Sequence, residues 1–344
     1  MSRLSLVGSL AIALAACAPE PPDACKVLAN DPLDDPFSHA SYELAGRSDD
    51  QWRDDLTAKL LGAIDRPGEL PEFTLPRLVD ETSDGVEPKR LIYEIDSWVD
   101  GVPIPYAVLI PKSAQDPTTV AHVVVLLHGH GEDATSAFNP GSGMQNIGTI
   151  LLEAGYIVVS AKLRSFGDFT IDGKNHEAYI AGLADGEFVG QVVSDTVQVG
   201  EAVVEGLVTV EGSTLTVLGH SFGGYIALHV GALVDGVDLT ISSGHFTPYA
   251  CVNTEFHHHG QDILEMEGVA ELYDVVGMVA PESRVELFFG GRDKLFTQAS
   301  RDSFARLEAI FEARGAAAQA RMHVNPSIGH RVDPEGVLAV LPKP

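Results

Sequence analysis

The chain has 344 residues, 45% of them hydrophobic, which suits one large α/β domain with an N-terminal extension and excludes a disordered protein. It carries 22 lysines and arginines against 49 aspartates and glutamates, for a formal net charge of -27. A surface this acidic repels phosphate backbones, and the sequence contains no basic cluster. Nucleic acid is therefore excluded as a partner.

Residues 1–16 are predicted to be a secretory signal peptide. The positive start Met1-Ser2-Arg3 precedes an apolar run, ending at Ala16, that is too short to span a bilayer. Leu14-Ala15-Ala16-Cys17 resembles the bacterial lipobox, in which the cysteine is lipidated and becomes the mature N-terminus. Lipid on Cys17 would tether the protein to a membrane of the bacterial cell envelope, facing the periplasm or the cell exterior. Without lipidation, the same leader predicts secretion.

Residues 17–47 are predicted to be a lipidated spacer, because this stretch is rich in proline and aspartate and has no apolar periodicity. The folded domain is predicted to fill residues 48–344. It should begin with a helix, capped by Ser48, whose apolar side chains share one face. These side chains are Trp52, Leu56, Leu60 and Ile64.

Two further cysteines, Cys25 and Cys251, would lie in a compartment that permits disulfides. They could form a bridge that pins the spacer to the folded domain. Alternatively, they remain two unpaired thiols.

The remaining sequence predicts eight strands. The first two, at residues 91–95 and 106–110, have Asp100-Gly101 between them, which is a hairpin signal. Strands then alternate with helices, which indicates a mostly parallel sheet with helices on both faces. The later strands are predicted at 123–127, 156–161, 214–218, 239–241, 285–289 and 321–324, and the helices at 144–154, 188–206, 222–233 and 298–314.

The pentapeptide Gly219-His220-Ser221-Phe222-Gly223 is the strongest chemical signal in the chain. A G-x-S-x-G sequence between a strand and a helix is typical of a sharp turn that exposes a nucleophilic serine, and the glycines let the backbone turn without side-chain clashes. Here the motif follows an apolar strand and precedes a helical pattern. Ser221 is therefore predicted to be a nucleophile. The alternative is a glycine-rich turn with a capping serine.

A serine nucleophile needs a base to take its proton and an acid to orient that base. The strand, motif and helix resemble the nucleophile turn of α/β-hydrolases, and this resemblance implies that the acid and then the base come later in the chain. Asp293 follows a predicted strand and the turn Gly290-Gly291-Arg292, and His330 follows the last predicted strand. They are the predicted acid and base. Asp274 and Asp333 are weaker alternatives as the acid.

Two backbone N–H groups should stabilise the oxyanion of the tetrahedral intermediate. One is expected from Phe222, directly after the nucleophile. The other is expected from the loop His128-Gly129-His130-Gly131, where His130 is the first choice and Gly129 the second.

No metal site is predicted. The run His257-His258-His259 consists of neighbouring residues that do not converge on one ion, and no cysteine or carboxylate lies at ligand spacing. His229 and His323 fall within a predicted helix and strand, where structural roles are commoner.

From about residue 52 to 333 the chain resembles the dienelactone-hydrolase-like and acetyl-xylan-esterase-like branch of the α/β-hydrolases. The resemblance is carried by the stretches at 127–131, 155–159, 164–167, 219–224, 279–281 and 289–293. It implies the α/β-hydrolase fold and maps the elbow, acid and base onto Ser221, Asp293 and His330. Two features depart from this branch: Arg164-Ser165-Phe166-Gly167 replaces the common R-G-x-G, and dienelactone hydrolases proper use cysteine as the nucleophile.

The resemblance implies a cofactor-independent serine esterase that acts on small-molecule or carbohydrate esters. A peptidase or amidase of the same fold remains an alternative, because the same three residues serve both reactions. A non-catalytic surface binding protein that keeps the fold is the second alternative.

Overall fold

The computed structural model describes residues 51, 54, 56–58, 60, 76–82, 88–183, 187–249 and 270–344. A single mixed sheet forms its centre. The strands are β1 Arg77–Glu81, β2 Lys89–Asp96, β3 Pro103–Ile110, β4 His122–Leu127, β5 Ile157–Ala161, β6 Thr214–His220, β7 Leu239–Ser243, β8 Arg284–Gly290 and β9 Ala320–Asn325. Their spatial order is β1-β2-β3-β5-β4-β6-β7-β8-β9.

Helices cover both faces of this sheet. The helices are α1 Ile147–Glu153, α2 His176–Ile180, α3 Glu187–Leu207, α4 Phe222–Leu233, α5 Leu272–Gly277, α6 Gln298–Ala313 and α7 Pro334–Val340. One apolar cluster joins the sheet to α3, α4, α5 and α6, and a second joins it to α1 and α7.

The sheet has an antiparallel and a parallel half. Strand β1 pairs with β2, β2 with β3 and β3 with β5, all antiparallel, whereas the strands from β5 through β4 to β9 run parallel. The predicted hairpin joins β2 to β3, and Gly101 adopts a φ of 73° in its turn. Because the parallel strands share one direction, their carboxyl ends meet at a single edge, where residues from distant parts of the chain come together.

Strand β4 explains why a parallel sheet needs a continuous apolar run. Val123, Val125 and Leu127 face one apolar cluster, while Val124 and Leu126 face the other. Side chains alternate between the two faces of a strand, so both sets of positions must be apolar when helices cover both faces.

The described ranges form nine strands of the sheet, so the predicted count of eight is wrong by one. The missing strand is β1, whose five side chains are all exposed and which pairs only with β2. An exposed edge strand has no buried face, and hence no apolar alternation by which to recognise it. Helix α1 also begins at Ile147, later than the predicted residue 144.

The described residues near the start of the chain are helical, at 51, 54, 56–58 and 60. Leu56 and Leu60 are buried in the larger apolar cluster, as expected for one face of a packed helix. Ser48, Trp52 and Ile64 lie outside the described residues. So do the predicted signal peptide and spacer, Cys17, Cys25, Cys251 and the run His257-His258-His259. No helix in the described ranges is long and apolar enough to cross a membrane.

Candidate active site

Ser221 occupies the turn between the end of β6 and the start of α4. Its φ of 53° and ψ of -119° are rare for a residue with a side chain. The Ser221 N–H donates a 2.7 Å hydrogen bond to the carbonyl of Ser243, at the end of β7. The turn therefore holds the serine in a strained conformation at the carboxyl edge of the sheet.

The two glycines of the motif are required by close backbone packing. A methyl group on Gly219 would lie 1.9 Å from the Gly223 carbonyl oxygen. A methyl group on Gly223 would lie 2.3 Å from the carbonyl oxygen of Leu127, at the end of β4. Both distances are shorter than any real contact between such atoms, so only glycine fits at these positions.

Asp293 and His330 lie together at the same edge. Asp293 follows β8, His330 follows β9, and their Oδ2 and Nδ1 atoms are 2.7 Å apart. The other oxygen of the almost completely buried Asp293 carboxylate accepts a 2.9 Å hydrogen bond from the Leu295 N–H. The carboxylate is thus fixed by its own loop, and its bond to Nδ1 leaves Nε2 of His330 for a proton on the other side of the ring.

The loops that carry Asp293 and His330 are packed closely. The Arg292 N–H donates to the Ile328 carbonyl at 3.0 Å, and a methyl group on Gly290 would lie 2.0 Å from the Gly329 carbonyl oxygen. Backbone contact of this kind sets the relative position of Asp293 and His330.

Ser221 and His330 are brought to the same edge by neighbouring residues. The His220 and His330 rings have centroids 4.7 Å apart, and a methyl group on Gly244 would lie 2.9 Å from His330 Cε1. Within the described residues, however, the hydroxyl of Ser221 makes no hydrogen bond to His330. Catalytic hydrogen bonds are often long or misaligned without substrate, so the missing bond does not exclude His330 as the candidate base for Ser221.

Two buried histidines stand beside His330. Burial, followed by the proximity of His330, lowers the pKa of both His220 and His245 to about 3. Both rings are therefore neutral at pH 7, and neither adds a positive charge next to the candidate base.

The loop after β4 runs past Ser221, the candidate nucleophile. A methyl group on Gly129 would lie 3.4 Å from the Ser221 Cβ. The Gly129 N–H donates to Glu132 Oε2 at 3.2 Å, so this amide, the second choice as an oxyanion donor, already has a partner. The first choice, the next amide at His130, follows in the same loop, and Phe222 begins α4 directly after the serine.

His128 supports this loop from inside the protein. Its Nδ1 lies 2.9 Å from the Gly129 carbonyl oxygen, and its Nε2 accepts from the Leu163 N–H at 3.4 Å. Burial lowers the pKa of His128 to about 4. The neutral ring, protonated at Nδ1, satisfies both contacts.

Aromatic rings surround the side of Phe222 that faces the loop after β5. The Phe166 ring lies against His176 and Phe222 in tilted arrangements, with centroids 4.0 Å and 5.7 Å apart. The same Phe166 ring meets His130 edge to face at 5.6 Å. Sequence reasoning missed this group, since its members come from separate loops and helices and share no periodicity. The departure at residues 164–167 was the one available signal.

The other candidate residues have structural roles. Asp274 accepts from the Glu271 N–H, and Asp333 caps α7 through the Gly336 N–H. His229 contacts Tyr225 and Tyr249, and His323 contacts Glu286. In the described part of the chain, no group of three or more histidine, cysteine, aspartate or glutamate side chains could hold a metal ion.

A family model described as the alpha/beta hydrolase family matches residues 124–338. Among solved structures, a putative acetyl xylan esterase from Bacteroides fragilis is 13% identical with a TM-score of 0.61, covering 87% of this chain and 80% of its own. Acetyl xylan esterase 1 from Thermoanaerobacterium is 20% identical with a TM-score of 0.53, and the match covers 83% of this chain and 91% of the esterase. A glucuronoyl esterase from Caldicellulosiruptor kristjansonii is 14% identical with a TM-score of 0.57, covering 89% and 87%. No curated protein sequence matches the chain significantly.

Proposed function

This chain belongs to the alpha/beta hydrolase family, and from that premise we propose that it is a serine hydrolase of carboxylic esters. Family membership and the sheet topology confirm the predicted fold. The observation that carries the proposal is the hydrogen bond between Asp293 and His330, at the edge of the sheet where the strained turn presents Ser221. An acid, a base and a nucleophile in this chain order are the parts that acyl transfer needs.

In the proposed reaction, Nε2 of His330 takes the proton of the Ser221 hydroxyl as its oxygen attacks the ester carbonyl. Asp293 keeps the proton on Nδ1 and stabilises the positive ring that forms. The N–H groups of Phe222 and His130 stabilise the oxyanion. His330 then protonates the leaving alcohol, which leaves an acyl-enzyme. Water, activated by the same histidine, releases the acid and restores Ser221. These steps require no cofactor.

Esters are favoured over amides by the similar structures. They are described as two acetyl xylan esterases and a glucuronoyl esterase, and a further one, 14% identical with a TM-score of 0.60, as a methylesterase. At these identities the likeness shows the fold alone, so a carbohydrate ester as substrate is part of the proposal. Peptide and amide substrates assayed beside esters distinguish the two reactions.

We also propose that Cys17 is lipidated and holds the enzyme at a membrane of the bacterial cell envelope. The lipobox-like sequence supports this location. Cys17→Ser would then move the protein from the membrane fraction to the soluble fraction, and unchanged membrane association would contradict the anchor.

Ser221→Ala tests the hydrolase directly. We expect turnover of 4-nitrophenyl acetate to fall by about 10⁴-fold or more, because the nucleophile is removed, while the unfolding temperature shows that the fold is kept. Ser283→Ala is a matched control, since Ser283 is a buried serine whose hydroxyl has no hydrogen-bond partner among the described residues.

Undiminished turnover by the Ser221→Ala variant would contradict the proposal. A fluorophosphonate probe separates the non-catalytic alternative, because an active serine reacts with the probe and a binding protein does not. Labelling should be present in the Ser283→Ala control and absent in Ser221→Ala.

A further inference from the structure

Glu132 holds both peptide groups that flank Gly129, which lies three residues before it. Both residues belong to the loop after β4, called the oxyanion loop because it carries the predicted oxyanion donor His130. The Glu132 carboxylate Oε2 accepts from the Gly129 N–H at 3.2 Å, and the Glu132 N–H donates to the Gly129 carbonyl at 3.2 Å. We propose that Glu132 is a positioning residue that orients the oxyanion-binding amide of His130. This inference rests on the proposed function.

The connection to His130 follows from the planarity of the peptide bond. The Gly129 carbonyl and the His130 N–H belong to one rigid plane, so whatever fixes the carbonyl also fixes the direction of the N–H. Two groups fix that carbonyl, the N–H of Glu132 and Nδ1 of His128. The carboxylate of Glu132 fixes the peptide plane before Gly129, which contains the Gly129 N–H. A glycine otherwise rotates freely between its two peptide planes, but here both planes are held.

The second carboxylate oxygen extends this support to the loop of the candidate base. Oε1 of Glu132 accepts a 2.7 Å hydrogen bond from the N–H of Gly143. The carbonyl of Gly143 in turn accepts a 2.9 Å hydrogen bond from the N–H of Val332, two residues after His330. The Glu132 side chain therefore links the oxyanion loop, through Gly143, to the segment that carries His330.

Space around the carboxylate is as restricted as its hydrogen bonding. A methyl group on Gly143 would lie 2.5 Å from Nε2 of His220 and 3.2 Å from Oε1 of Glu132. A methyl group on Gly129 would lie 3.3 Å from Oε2 of Glu132 and 3.4 Å from the Ser221 Cβ. Glu132 is thus packed between two glycines beside the nucleophile, where a small displacement of the loop changes the oxyanion geometry.

Glu132→Gln is the main test. Glutamine has nearly the same shape but one acceptor oxygen, so one of the two glycine N–H groups would face an NH₂ group. We expect kcat to fall by about tenfold or more, with KM for a 4-nitrophenyl ester changed by less than about twofold, because oxyanion donors act mainly in the transition state. Glu132→Ala, which removes both acceptors, should lower kcat further.

A second measurement separates positioning from a general structural defect. A trifluoromethyl ketone forms a tetrahedral adduct with an active serine, whose oxyanion occupies the same donors. Its Ki should rise in Glu132→Gln by the factor by which kcat/KM falls. Glu177→Gln, which removes an exposed carboxylate from the first turn of α2, should change neither quantity.

The results distinguish this inference from the proposed function. Wild-type kcat in Glu132→Gln, or a loss of kcat without a matching rise in Ki, would overturn the role of Glu132 while Ser221→Ala remained inactive. Full activity of Ser221→Ala would instead overturn the proposed function itself.

Discussion

The backbone of Ser221 is strained so that its hydroxyl can reach the edge of the sheet. At its observed φ and ψ the Cβ atom of any side chain is crowded, and such positions cost about 1–3 kcal/mol. We therefore expect Ser221→Gly to be more stable than Ser221→Ala by about 1 kcal/mol, although both variants lack the proposed nucleophile. Denaturant unfolding of both variants would measure this, and an equal or lower stability of the glycine variant would contradict the strain.

Among single residues, the sequence predicted the positions that only one or a few residue types can occupy, because of their chemistry or their shape. Gly219 and Gly223 could be identified because a side chain cannot fit there, and Ser221 because the motif stood between a strand and a helix. The pairing of Asp293 with His330 followed from chain order, and the distance between them agrees with it. Glu132 could not be found, because a carboxylate that binds backbone N–H groups within a loop leaves no periodic or spaced signal.

The loop after β5 is held by a buried arginine. The Arg164 side chain donates 2.8 Å and 3.0 Å hydrogen bonds to the carboxylate of Asp195 on α3, and further bonds to Asp100 and Ser97 in the β2–β3 connection. The next residues, Ser165 and Gly167, adopt φ values of 64° and 59°. Arg164 thus fixes the start of the loop that places Phe166 beside Phe222.

Removing this arginine should therefore destabilise the protein. Arg164→Gln would leave the fully buried Asp195 without its ionic partner, and breaking a buried pair costs about 3–5 kcal/mol. Burial already raises the pKa of Asp195. The measurement is the free energy of unfolding in urea. The double variant Arg164→Gln/Asp195→Asn should recover part of the loss, and a single variant as stable as the wild type would refute a structural role for the pair.

Elements were predictable where they have a buried face. Helix α4 has the predicted bounds, and β4 was recognised from its apolar run. Strand β1 was missed because all its side chains are exposed. The geometry of the loop at residues 164–167 could not be anticipated because it depends on Arg164 reaching α3 and the β2–β3 connection. The spacing of apolar residues identifies a helix or strand only when one of its faces is buried and must therefore be apolar.

Over the whole molecule, buried neutral histidines should make folding sensitive to acid. Burial lowers the pKa of His229 to about 4, whereas a histidine in the unfolded chain titrates near 6.5. Between about pH 4 and 6.5 the unfolded state therefore binds more protons at this position, so its contribution to stability is present above pH 6.5 and lost as the pH falls towards 4. His128, His220 and His245 act in the same direction.

His229→Gln tests how much one of these histidines contributes to the pH dependence of stability. His229 lies on α4 within the core, where it contacts Tyr225 and Tyr249. In urea unfolding between pH 4.5 and 6, the slope of stability against pH should be smaller in the variant by up to about 1.4 kcal/mol per pH unit, whatever its absolute stability. Equal slopes would show that His229 binds a proton as readily in the folded state as in the unfolded state, which would contradict the lowered pKa.

The division of the sheet into two halves has a consequence for how the sequence can vary. The candidate active-site residues follow β4, β6, β8 and β9, all in the parallel half, whereas β1 touches the sheet only through β2 and exposes every side chain. Substitutions along β1 therefore alter neither the packing of the elbow nor the contact between the acid and base loops. We expect the amino-acid sequence of β1 to vary freely among related chains. At the carboxyl edge of the parallel half, we expect residues that contact one another to be substituted together.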